Sequence, residues 1–178
     1  MTGMAFRLPD GLMAAIPESV NFGAVLLAAG GSTRLGQPKQ RVKIDGQSLV
    51  RRAALQLLAL NPVSLTVVTG CSGDAVENDV RDLPLRIAHN DQWDQGMGGS
   101  IACGARLAGK EADGLLVVLC DQWRVDENDL GRLVSAWSTD ISRIICACWR
   151  RDKVNVYGAP ALFPRYLIRE LINLRGDK

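Results

Sequence analysis

Three side chains stand where they could handle phosphate: Arg34, Lys39 and Asp121. The first two follow an apolar run, Val25 to Ala29, in the stretch Gly30-Gly31-Ser32-Thr33-Arg34-Leu35-Gly36-Gln37-Pro38-Lys39. Glycine, lacking a Cβ, lets backbone N–H groups approach an oxyanion closely, and consecutive N–H groups in such a turn form an anion-binding concavity. From Arg34 to Arg52 the charged residues are Arg34, Lys39, Arg41, Lys43, Arg51 and Arg52 against Asp45 alone, although the whole chain carries a net charge of only +2. Neither common phosphate loop is present. Lys39 does not directly follow a glycine, and Gly30, Gly31 and Gly36 have the wrong spacing for GxGxxG. Read from the residues alone, the segment is either an anion cradle or a glycine-rich turn edged by solvated bases.

The elements that must position these groups are legible in the apolar pattern. Gly23 to Ala29, Ser64 to Gly70 and Asp113 to Cys120 are near-continuous apolar runs of strand length, the pattern of strands covered on both faces. Ser48 to Leu60, Glu127 to Trp137 and Pro164 to Leu174 carry helical spacing, the first ending before Asn61-Pro62. The βαβαβ order predicts a doubly wound α/β fold, a mostly parallel sheet in three α/β/α layers. Ligands of such sheets bind beyond the carboxyl ends of the strands, at the point where strand order reverses. The loops after Ala29, Gly70, Ala88 and Cys120 are therefore the ones expected to matter.

Composition narrows the function classes. The chain has 178 residues, 47% hydrophobic and 22% charged, enough for one core. Residues 22–178 are expected to form one domain behind an N-terminal arm, residues 1–21, whose apolar patch is broken by Pro9, Asp10, Gly11 and Pro17. That arm has neither the length nor the cleavage site of a signal peptide. The net charge argues against nucleic acid, and no run approaches the roughly 20 apolar residues of a membrane span. Five unevenly spaced cysteines read as reduced thiols in a cytoplasm, with Cys146 and Cys148 filling core. The lone His89 can build neither a zinc site nor a triad by itself.

The stretch Leu26 to Lys39, "LLAAGGSTRLGQPK", resembles the LAAGxSxRxGxxK signature of the molybdopterin nucleotidyltransferases, closest to molybdenum cofactor cytidylyltransferases. "HNDQWDQGMGGSIACG" (His89 to Gly104), "LCDQWRV" (Leu119 to Val125) and "YGAPALFPRYLIRELINLRGD" (Tyr157 to Asp177) extend the resemblance to roughly Phe22 to Asp177. There are two departures. Trp123 stands where the family usually has proline, and relatives continue past the position of Lys178, so a shortened C-terminus is expected.

The resemblance implies transfer of CMP from CTP to a molybdopterin-type phosphate with release of pyrophosphate. It also implies a molybdoenzyme of the xanthine dehydrogenase type as a partner. Arg34 would reach β/γ oxygens and Lys39 the oxygens at the α-phosphorus. Ala28, Ala29, Gly30, Gly31, Ser32 and Thr33 would bind nucleotide, with Asn90, Gly96 and Ser100 holding base and ribose. Asp121, at a strand tip, suits Mg²⁺, which takes one or two carboxylates plus phosphate oxygens, and Asp177 of the family's Gly-Asp is the implied second ligand. A helix cap is the other reading of Asp121, though Asp126 lies closer to the helix start. Relatives that use GTP tend to carry glycine where this chain has Ala29, so cytidine is expected. GTP, or a sugar- or polyol-phosphate acceptor as in other enzymes with "PKQ" (Pro38 to Gln40), stays open, as does a non-catalytic cofactor carrier. Trp123 either packs on the sheet edge or walls the acceptor pocket. Trp93, Trp137 and Trp149 are read as packing, with Trp93 the exception to watch because it lies in a site loop.

Overall fold

The computed structural model describes residues 20–31, 38–110 and 112–176. Among them the chain runs β1 (Phe22–Leu27), β2 (Lys43–Ile44), β3 (Gln47–Ser48), α1 (Leu49–Ala59), β4 (Ser64–Thr69), α2 (Gly73–Val80), β5 (Arg86–His89), α3 (Met97–Ala108), β6 (Gly114–Leu119), α4 (Glu127–Ser138), β7 (Ile145–Arg151), β8 (Val154–Pro164) and α5 (Ile168–Ile172). The main sheet has the order β5-β4-β1-β6-β8-β7. β5, β4, β1 and β6 are parallel, and β8 and β7 close one edge antiparallel.

β1 shows why its run is apolar throughout. Phe22, Ala24, Leu26 and Ala28 enter a core shared with α1, α2 and α4, while Val25, Leu27 and Ala29 enter the opposite core against α3 and α5. A strand buried on both faces cannot alternate with polar residues. Each fully buried leucine, such as Leu26 or Leu116, contributes about 1.5–3 kcal/mol of transfer free energy. α3 approaches the sheet closely because its contact face is small: Ala102, Gly104, Ala105 and Ala108 are buried, and a Cβ on Gly104 would overlap the Val25 side chain.

This is the expected doubly wound α/β architecture. From β1 the chain builds outward through β4 and β5, then returns to place β6 on the other side of β1. Strand order therefore reverses between β1 and β6, and the crevice belongs beyond their carboxyl ends. One expected helix is corrected. Pro164 pairs with Gly114 as the last residue of β8, a 3₁₀ turn follows at Arg165–Leu167, and α5 is only five residues long. Sheet pairing thus claims the start of a segment whose apolar spacing alone reads as helical. The cysteines are also less buried than expected: Cys120 is buried, Cys103, Cys146 and Cys148 are half-buried, and Cys71 is exposed. Among the described residues no helix is long and apolar enough to cross a membrane.

Candidate active site

A cleft of about 370 Å³ opens beyond the ends of β1 and β6, within the range typical of small-molecule sites. Its walls come from the segments after β1 (Ala29, Gly30, Gly31), after β6 (Cys120, Asp121) and after β5 (Trp93, Asp94, Gly96, Met97, Ser100), with Lys39 and Gln40 from the turn that follows the glycine loop. The loop after β4 does not line it, but the Cys71 N–H donates to Ala29 O at 3.2 Å and so secures the wall.

Lys39 and Asp121, far apart in sequence, both face this space. They also bracket Cys120. Burial pushes the Cys120 thiol up to about 12, the Asp121 carboxylate adds to the rise and the Lys39 ammonium opposes it. Cys120 is therefore a neutral wall with no nucleophilic thiolate at ordinary pH. Asp121 is exposed and Asp126 caps α4, accepting from the Asp129 N–H at 2.8 Å in a capping box. The cap reading of Asp121 is thereby removed.

The wall formed by Ala29, Gly30 and Gly31 supplies donors. Among the described residues no backbone acceptor takes the N–H of any of the three, leaving a run of amides of the kind that binds anions. A Cβ on Gly30 would meet open space, whereas one on Gly31 would lie 2.6 Å from the Trp93 ring. Trp93, itself part of the cleft wall, thus packs against the loop at Gly31, which answers the question its position in a site loop raised. Ala28 is buried one residue behind the wall. Asn90 is buried and donates to Ser100 Oγ at 2.9 Å, while its Oδ1 accepts from the Gln92 N–H at 3.1 Å. That pairing ties the end of β5 to the first turn of α3, next to the cleft. Gly96 precedes α3 with φ 118°, a conformation that favours glycine. The Gly98 N–H is committed to Gly176 O at 2.7 Å.

The structure thus brings together Lys39, Asp121, Ala29, Gly30, Gly31, Gly96 and Ser100, with Ala28 and Asn90 immediately behind. Ser32, Thr33, Arg34 and Asp177 lie outside the described residues. The basic run is less concentrated than its sequence suggests. Arg41 pairs with Asp79, Arg51 with Asp82 and Arg52 with Asp45, which leaves Lys39 as the described member of that run in the cleft. Trp123 does not pack on the sheet edge. It is 52% exposed and carries the Arg124 guanidinium 4.9 Å over its ring, while the neighbouring Gln122 donates to Ala159 O at 2.5 Å. Sequence reasoning assigned no role to Gln40, Asp94 or Cys120. The signals were the place of Gln40 in Pro38-Lys39-Gln40 and the adjacency of Asp94 and Cys120 to Trp93 and Asp121.

The MobA-like NTP transferase domain matches residues 24–178, which is most of the chain. The chain belongs to that family. Rv0371c from Mycobacterium tuberculosis H37Rv is 24% identical with a TM-score of 0.75, over 89% of this chain and 79% of that one, and a manganese complex of the same protein is also similar, at 22% identity and a TM-score of 0.71 over 89% of this chain and 78% of that one. A nucleotidyl transferase from Methanothermobacter thermautotroptrophicus is 25% identical with a TM-score of 0.71, over 84% and 74%. A CMP:2-keto-3-deoxy-manno-octonic acid synthetase complexed with CTP shares the fold at 15% identity and a TM-score of 0.62, over 84% and 76%. No curated protein sequence matches the chain. This NTP transferase domain is accordingly a nucleotidyltransferase. Around its cleft stand an ammonium, a carboxylate and amides whose N–H groups no backbone acceptor takes among the described residues.

Proposed function

We propose that this NTP transferase domain transfers CMP from CTP to the terminal phosphate of a molybdopterin-type acceptor, with Mg²⁺ and release of pyrophosphate. The observation that carries the reading is the shared cleft of Lys39 and Asp121 beside the N–H groups of Ala29, Gly30 and Gly31, which no backbone acceptor takes among the described residues. An acceptor phosphate oxygen attacks the α-phosphorus, the bond from that phosphorus to the bridging oxygen breaks, and pyrophosphate leaves with the electron pair. Both nucleophile and target are anionic, so positioning and neutralisation supply most of the rate. Lys39 lies against the oxygens around the α-phosphorus. The amides after β1 hold the phosphates, and Arg34 reaches the β/γ oxygens. Asn90, Gly96 and Ser100 border base and ribose.

The carboxylates present fit Mg²⁺. Among the described residues no group of three or more His, Cys, Asp or Glu could cage a metal, and Mg²⁺ needs no cage, because it keeps waters and draws ligands from nucleotide phosphates. Asp121 would hold it from the β6 side, with Asp177 as second ligand, and the ion would supply further neutralisation of phosphate charge. The manganese complex of Rv0371c is consistent with a divalent ion in this fold. Residues 22–178 act as the catalytic domain in this reading, and residues 1–21 as an arm.

Cytidine rests on Ala29, which is 5% exposed and lines the cleft. Its methyl group narrows the space beside the base and favours a pyrimidine. A polyol- or sugar-phosphate acceptor is the second reading, favoured by Pro38-Lys39-Gln40, whose glutamine is built into the cleft wall. The test is pyrophosphate release across the four NTPs in Mg²⁺, with reduced molybdopterin, a polyol phosphate or no acceptor. Release with CTP and molybdopterin alone is expected. Release with GTP overturns the base assignment, release with the polyol phosphate overturns the acceptor, and silence with every pair indicates a carrier.

A further inference from the structure

Gln40 is a polar residue that a simple packing role would not select. It is 5% exposed at the cleft wall. Its Nε2 donates to Ala28 O at 3.0 Å and to Gly30 O at 2.6 Å. Two carbonyl partners for one nitrogen fix the orientation of the amide, since the reverse orientation would set oxygen against oxygen. The other end, Oε1, is buried without a hydrogen-bond partner among the described residues. A desolvated acceptor left unpaired is unfavourable, and a methionine of equal length would avoid it. What the glutamine adds is the pair of donated bonds.

Those bonds set the direction of the amides after β1. In a trans peptide the C=O and the following N–H point in opposite directions. Holding Ala28 O and Gly30 O therefore turns the N–H groups of Ala29 and Gly31 away from Gln40, while the bond from Cys71 N–H to Ala29 O sets the N–H of Gly30. Three successive peptide planes are fixed in this way. Gln40 also lies in the 3₁₀ turn Lys39–Arg41, so the same bonds tie the backbone of Lys39 to the loop.

We propose that Gln40 is a positioning residue for nucleotidyl transfer, clamping the loop after β1 so that its amides and Lys39 meet the triphosphate in one fixed arrangement. This rests on the nucleotidyltransferase reading. The test is steady-state kinetics of wild type, Gln40→Glu and Gln40→Met from pH 6 to 8.5, with thermal midpoints at each pH. Glu keeps the shape but sets a carboxylate against two carbonyl oxygens, and only its protonated form can donate. Expected is a loss in kcat/KM of about 100-fold at pH 8, carried mainly by kcat and shrinking toward pH 6, relative to a wild type in which Lys39, Asp94, Cys120 and Asp121 are all still present. Gln40→Met should lose about 10-fold with no recovery at low pH, and it decides the matter if the Glu variant does not fold. Wild-type turnover with Gln40→Met within twofold of it overturns this inference alone. A pH-independent loss in Gln40→Glu that tracks its thermal midpoint also overturns it. Wild type without turnover on any NTP overturns the parent reading, and this inference with it.

Discussion

Lys39→Ala should lower kcat by about 10³-fold while moving the thermal midpoint by no more than about 2 °C. The side chain is exposed at the rim of the cleft and belongs to no core, and surface truncations of that kind usually stay within about 0.5 kcal/mol of wild type. Its expected effect on rate comes from the reaction itself. Charge accumulates on the oxygens around the α-phosphorus as the acceptor approaches, and a fixed ammonium stabilises the transition state more than the ground state. The loss should therefore appear in kcat more than in KM. Lys39→Arg tests whether charge alone suffices: a guanidinium keeps the charge on a wider, planar head, and recovery should stop well short of wild type. A Lys39→Ala enzyme with near wild-type kcat contradicts the assignment.

Asp121→Asn should lower kcat by about 10²–10³-fold and raise the Mg²⁺ concentration needed for half-maximal rate. Asparagine keeps the size and an acceptor oxygen but removes the charge. Because Asp126, and not Asp121, caps α4, the substitution is expected to leave the helix and the thermal midpoint unchanged. A fall in the thermal midpoint with an unaltered Mg²⁺ dependence would restore a structural role for Asp121. The variant offers one further check. The Asp121 carboxylate helps to raise the Cys120 thiol, so its neutralisation should move that thiol downward, a shift that alkylation rates at high pH can follow.

The parts of the site that were legible in the sequence share a physical reason. Continuous apolar runs mark strands buried on both faces, and the crevice rule then points to the residues just past their carboxyl ends, which is where Ala29 to Gly31 and Asp121 lie. Local signals worked equally well. Asp126 stands at the start of an amphipathic run and does cap it. What stayed hidden depends on partners that only tertiary register supplies. Arg41 and Arg51 look like free cations until α2 and the turn after it bring Asp79 and Asp82 beside them, more than 30 residues away for the ion pairs Arg41–Asp79 and Arg51–Asp82. Gln40 gains its role from carbonyls 12 and 10 residues upstream, a relation no periodicity encodes. Gly31 is small because the Trp93 ring packs against it. Trp123 shows the reverse failure. A preference for burying tryptophan predicts packing, but the ring of Trp123 lies in solvent even though the neighbouring Gln122 ties the loop to Ala159 O of β8.

Nucleotidyl transfer in this cleft requires the triphosphate to lie between Lys39 and Asp121. The most direct measurement is a crystal structure of the protein with Mg²⁺ and α,β-methylene CTP, whose α–β linkage resists cleavage. Expected are the α-phosphate within hydrogen-bond reach of Lys39 Nζ, the β- and γ-phosphates against the amides of Ala29, Gly30 and Gly31, and an Asp121 oxygen bound to the metal. A triphosphate seated elsewhere, or one in this cleft with Lys39 and Asp121 both turned away from it, would contradict the account.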